Sequence, residues 1–213
     1  MVPCPLRIYS QAVLWSSPQQ EVANRPLVVL LHGLGSHEGD LFGLSPFLPL
    51  DPIVASIRAP LTSPPGYSWF PISESLAIDP GDVDAAAQAV LEWLDGLGPL
   101  RSVGLLGFSQ GAVTALQVQR HAPERISYVV NLAGFVAPGA SDGDAELARL
   151  RPPVFWGRGT HDSVIPFAAV GHTANWLPTH SSLDARIYEG VGHEVSEDEL
   201  ADVAAFIQRH TPE

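Results

Sequence analysis

The chain has 213 residues, of which 46% are hydrophobic and 16% charged, a composition that suits a globular protein and excludes a disordered one. Its 23 acidic residues outnumber 11 basic ones, every one an arginine, and leave a net charge of −12. Such a surface repels phosphate backbones and anionic bilayers, and no basic stretch with interleaved aromatics occurs, so nucleic-acid binding is excluded as a reading.

Cys4 is the single cysteine, which excludes an intrachain disulfide and a thiolate metal site. The opening "MVPCPLRIYS" lacks the basic-then-apolar layout of a secretory signal. No apolar run approaches the ~20 residues that span a bilayer. A soluble, cytoplasmic protein with no stable membrane insertion is expected. One domain over residues 1–213 follows from the length, enough to bury roughly 70% of the unfolded surface.

In chain order, "LRIYSQAVLWS" alternates and reads as an antiparallel edge strand, followed by apolar strands at "PLVVLLH" and "PIVASIR". "APLTSPPGYSWFPISES" reads as a long loop. "DPGDVDAAAQAVLEWLDGLG" predicts a helix, with acidic residues first and apolar positions at Val83, Ala87, Val90, Leu91 and Leu94 at helical spacing. The strand "SVGLLGF" runs into the helix "QGAVTALQVQRHAPE"; "ISYVVNLAG" is a strand and "AGFVAPGASDGD" a loop. "PVFWGRG" and "DARIYEG" are further strands, with His172 in a helix between them and His180 in a Pro/Thr/Ser loop. "SEDELADVAAFIQRH" closes the chain as a helix whose Ser196 and Glu199 have capping-box spacing. Strands apolar throughout, alternating with helices, predict an α/β domain built on a mostly parallel sheet.

Within this frame "GFSQG", Gly107 to Gly111, interrupts a strand-to-helix junction with two polar residues. It fits the G-x-S-x-G nucleophile elbow, in which the serine stands clear of the backbone at a sharp turn. The flanking glycines remove Cβ atoms where strand and helix approach. A glycine-rich turn with Ser109 as a helix N-cap is the competing explanation, and context must decide.

A serine is a weak nucleophile until a base takes its proton. In elbow enzymes an acid and then a histidine follow the serine, each on a loop after a strand. Asp162 follows "PVFWGRG" in "THDSVIP", and His193 follows "ARIYEG" in a glycine-flanked turn. His121 and His210 sit late in helices, and His161 adjoins the acid and should point elsewhere. Glu189 is the reserve acid. An oxyanion hole is expected at the backbone N–H groups of Leu34, in the "HGLG" loop after an early strand, and of Gln110, directly after the serine. "GLGSHEG" lacks the third glycine of a dinucleotide loop. "HEVSE" lacks the second histidine of a zinc motif. Neither a metal nor another cofactor is expected.

With "LLHGLGSHEGDL", "YSWF", "GFSQGA", "LAGFVAP", "GTHDSVIP" and "YEGVGHEVSEDEL" in order along nearly the whole chain, the sequence resembles the phospholipase/carboxylesterase family, which includes the acyl-protein thioesterases. The resemblance implies an α/β-hydrolase fold without a large cap domain. It implies hydrolysis of a small-molecule carboxylic ester or thioester, with Ser109, Asp162 and His193 as the triad and Leu34 and Gln110 as oxyanion donors. It also suggests Trp69 and Phe70 as acyl-site residues; Phe135 and Val164 join them because they follow strands at the same sheet edge. Trp69-Phe70 is followed by Pro71, where family members commonly carry an acidic residue. Short, proline-rich loops favour small esters over the longer acyl chains of a thioesterase or lysophospholipase. A hydrolase-fold protein that binds a ligand without cleaving it is the reading from another class.

Overall fold

Leu27–Leu31 is buried at every position. Alternate residues face opposite cores: Leu27, Val29 and Leu31 join one hydrophobic cluster, Val28 and Leu30 the other. The same two-faced burial explains the uninterrupted apolar runs of the other central strands. The computed structural model describes residues 5–72 and 78–212; Cys4 and the last part of the loop expected over 59–75 lie outside them.

The strands are β1 (Val13–Trp15), β2 (Leu27–Leu31), β3 (Ile53–Ile57), β4 (Leu61–Ser63), β5 (Gly66–Ser68), β6 (Val103–Phe108), β7 (Tyr128–Leu132), β8 (Pro153–Gly159) and β9 (Ser182–Tyr188). The helices are α1 (Glu38–Phe42), α2 (Pro80–Asp95), α3 (Gln110–His121), α4 (Asp144–Leu150), α5 (Phe167–His180) and α6 (Glu197–His210). Seven strands form one sheet in the order β1-β3-β2-β6-β7-β8-β9. Only β1 runs antiparallel, against β3, as its alternating sequence predicts; the other ladders are parallel. Residues of α2, α3 and α5 contribute to the core on one face, and residues of α1 and α6 to the core on the other. Among the described residues no helix is long and apolar enough to cross a membrane.

From β2 the chain steps outward to β3, then returns across β2 to place β6 on its other side. The connections therefore diverge between the carboxyl ends of β2 and β6. In open α/β sheets that divergence opens the crevice where ligands bind. "HGLG" leaves β2 there, and "GFSQG" leaves β6.

Two helix starts are closed as their sequences suggest. Asp79 accepts the Gly81 amide ahead of Pro80 in α2, and Ser196 accepts the Glu199 amide in α6. Two expectations are corrected. The loop read over 59–75 contains the β4–β5 hairpin, whose strands are each only three residues long, too short to show a period. His180 is the last residue of α5 rather than part of a loop. Pro178 does not end the helix, because His180 stacks on Trp176 at 3.9 Å and its Nδ1 donates to the Trp176 carbonyl at 2.9 Å, closing the final turn.

Candidate active site

Ser109 sits between β6 and α3 with φ 53° and ψ −117°. A non-glycine residue holds such a conformation only where its surroundings enforce it. Its amide donates to the Leu132 carbonyl at 2.8 Å, which ties the turn to the adjacent strand. A Cβ at Gly107 would run into the backbone of Gly111 and Ala112, and one at Gly111 into the carbonyls of Leu31 and His32. The two glycines let α3 cross directly over the strand ends. Ser109 caps α3 with no side-chain hydrogen bond; its hydroxyl is engaged elsewhere.

That engagement is with His193. The Ser109 Oγ lies 2.9 Å from His193 Nε2, and His193 Nδ1 lies 2.8 Å from Asp162 Oδ2. Asp162 follows β8, and its other oxygen accepts the amides of Val164 at 2.8 Å and Ile165 at 3.1 Å. Burial opposes ionisation of this carboxyl. The hydrogen bonds from His193, Ile165 and Val164 outweigh it and hold Asp162 below the usual carboxylate range. An ionised Asp162 accepts, so Nδ1 carries the imidazole proton and Nε2 is left to accept from the serine hydroxyl. Phe108 packs beside the imidazole with ring centroids 5.0 Å apart. His161 turns away from the acid toward the Gly190 carbonyl.

The loop after β2 is fixed from several sides. His32 is fully buried; its Nδ1 lies 2.8 Å from the Gly33 carbonyl and its Nε2 accepts the Ala59 amide at 3.1 Å. Nδ1 is therefore the protonated nitrogen, and burial lowers the pKa of the ring, which keeps it neutral. Beyond it, Gly35 donates to Tyr67 and Tyr67 to Ser36, both at 2.8 Å, clipping the loop to the hairpin. Glu38 accepts both arms of Arg58. Among the described residues no acceptor takes the Leu34 amide, and the Gln110 amide opens α3, where helix geometry provides no partner.

Leu34, Ser109, Gln110 and His193 share a cavity of about 340 Å³ with Phe70, Phe135 and Val164. Most of its remaining wall is aliphatic, including Ile72, Ile78, Val113 and Ile165. Trp69 does not line it. The indole is fully buried and donates Nε1–H to the His32 carbonyl at 2.8 Å, because a buried indole N–H needs an acceptor. The Trp69 amide donates to Gln110 Oε1 at 2.8 Å, and Gln110 Nε2 donates to the Phe70 carbonyl at 2.6 Å. The glutamine side chain thus clamps "WF" to the helix that follows Ser109.

Sequence reasoning missed two groups that shape the site. His32 reads in the sequence only as part of the "HGLG" loop, and its burial beside the ends of β2 and β3 carries no local signal. Ser36 and Asp40 also reach the cavity; their side chains meet across the start of α1, a helix too short to be legible.

Residues 16–211 match the family model described as Phospholipase/Carboxylesterase. Acyl-protein thioesterase 1 of Kluyveromyces lactis is 25% identical over 223 aligned residues, which cover 93% of this chain and 96% of that protein. Acyl-protein thioesterase 1 of Saccharomyces cerevisiae is 33% identical over 108 residues, covering 48% of this chain and 47% of the relative, so that match spans about half the length of each. The carboxylesterase of Bacillus cereus superposes with a TM-score of 0.80 at 19% identity, over 93% of both chains, which shows a shared fold. The chain therefore belongs to the phospholipase/carboxylesterase family, a family of carboxylic ester hydrolases.

Proposed function

We propose that the protein is a serine carboxylesterase acting on esters with short to medium acyl groups through Ser109, His193 and Asp162. The observation that carries this reading is the unbroken chain of contacts from the Ser109 hydroxyl through His193 to Asp162 at the wall of an apolar cavity. As the hydroxyl attacks the ester carbonyl, His193 Nε2 takes its proton, and Asp162 steadies the imidazolium while holding its tautomer. The amides of Leu34 and Gln110 bind the oxyanion of the tetrahedral intermediate, each donor contributing roughly 3 kcal/mol to its stabilisation. His193 then protonates the leaving alcohol. Water enters, loses a proton to the same nitrogen and releases the acid from Ser109.

Cavity size bears on the acyl group. A volume of about 340 Å³ falls at the lower end of the ~300–1,000 Å³ typical of small-molecule sites, which favours short to medium chains. A second reading, thioester or lysophospholipid hydrolysis with longer chains, draws on the relatives named acyl-protein thioesterase 1.

Turnover of nitrophenyl esters from acetyl to palmitoyl tests both readings. The expected optimum lies at short to medium length, and a rate rising to palmitoyl favours the second reading. Ser109→Ala is expected to lower kcat on the order of 10⁴–10⁶-fold with the fold retained by circular dichroism. A fluorophosphonate should label Ser109 once per chain. Full turnover by the variant, or labelling at another residue, refutes the role given to Ser109, and binding without any acyl release points to a ligand-binding protein.

A further inference from the structure

Among the described residues the cavity wall carries one carboxylate outside the proton-transfer chain, that of Asp40. Asp162 touches His193 from behind and does not line the cavity. Asp40 lies in α1, the element that follows the Leu34 loop, and stays exposed to solvent. Ser36 donates its hydroxyl to Asp40 Oδ2 at 2.5 Å, which orients the carboxylate without neutralising it. The neighbouring acid, Glu38, is spent on Arg58. Among the described residues no arginine lines the cavity and none forms an ion pair with Asp40.

One uncompensated negative charge beside an apolar chamber sorts the groups that can enter. An acyl arm gains by leaving water for Phe70, Phe135 and Val164. An anionic arm meets Asp40 as well as the field of a chain with net charge −12, whereas a cationic arm gains from both. We propose that Asp40 is a specificity residue, selecting esters that carry a cationic group, such as a quaternary ammonium, on the arm that lies along the Ser36–Asp40 side. The same charge repels the carboxylate product once water has cleaved the acyl-enzyme. This selection rests on the esterase reading above and adds the chemical class of its substrate.

The test compares butyrylcholine with neohexyl butyrate, its uncharged carbon isostere. The quantity read is the ratio of their kcat/KM values within each protein, so a general loss of activity cancels. From the unaltered enzyme to Asp40→Asn the choline-to-neohexyl ratio is expected to fall about fivefold, the effect of one charge pair about 4 Å apart in water-like surroundings. In the unaltered enzyme, added salt should raise KM for butyrylcholine and leave that for neohexyl butyrate unmoved, because screening acts on charge alone. That second reading needs no variant. An unchanged ratio in Asp40→Asn, or equal salt responses for the two esters, overturns the proposal while leaving the esterase standing. Failure to cleave either ester overturns both.

Discussion

Replacing Glu199 by Gln is expected to remove a pH-dependent loss of stability. Glu199 stands at the capping-box position of α6: Ser196 Oγ accepts its amide at 3.2 Å, and its carboxyl turns back toward the Ser196 backbone. The side chain is 1% exposed, and its Oε1 has no hydrogen-bond partner among the described residues. It packs so tightly on β8 that a Cβ at Gly157 would collide with it. Burial pushes this carboxyl up from 4.5 to about 7; the Ser196 amide opposes the rise, and the nearby charge of Asp202 adds to it. The folded state thus holds the proton more tightly than the unfolded chain. Its contribution to stability is whole below pH 4.5 and is lost as pH climbs through about 7, since the unfolded chain releases the proton first. At ~1.4 kcal/mol per unit of displacement the loss amounts to about 3 kcal/mol. For a chain of this size that corresponds to roughly 6–12 °C in Tm. Guanidinium unfolding of both proteins at about pH 5 and about pH 8 measures it, because the difference between them isolates one carboxyl. The variant should gain on the unaltered protein as pH rises. Parallel pH profiles for the two proteins would refute the buried, proton-retaining carboxyl.

Two further substitutions probe the scaffold of the site. Gly111→Ala drives a methyl into the carbonyls of Leu31 and His32 and is expected to cost about 3 kcal/mol, seen in thermal melts, with esterase turnover falling as Ser109 shifts. Arg120→Met strips a buried guanidinium from Asp144, Gln117 and the carbonyls of Ala137 and Gly139. Denaturant unfolding should register a loss of about 2–3 kcal/mol, because the carbonyls of Ala137 and Gly139 lose their donor and the half-buried Asp144 its partner.

Much of the architecture is legible locally, and the reason is periodicity. The runs at β2, β3, β6, β7 and β8 are apolar at successive positions because helices cover both faces of the sheet, while β1 alternates at its edge. The starts of α2 and α6 are legible because a cap needs only neighbours within one turn. The hairpin of β4 and β5 is not, since three-residue strands have no readable period and their clip to Gly35 and Ser36 is a contact across some thirty residues. Trp69 shows the same limit: "WF" reads equally well as two cavity residues, and although both rings are buried, only the acceptor at the His32 carbonyl turns the indole away from the cavity that Phe70 lines. Glu199 is more instructive still, because its capping role is written in the spacing from Ser196 while its burial depends on a glycine in β8.

Read alone, the chain gives an α/β architecture with a parallel sheet, an elbow serine with glycines two positions to either side, and the order of Ser109, Asp162 and His193 on loops after strands. Those are properties of side-chain period and of residues next to one another. It takes the folded chain to bring the three side chains into contact, to set Gln110 on the Trp69-Phe70 backbone, and to leave Asp40 without an arginine partner at the cavity wall. Each of these depends on distances between strand ends, which the crossover from β3 back over β2 sets and no local pattern encodes.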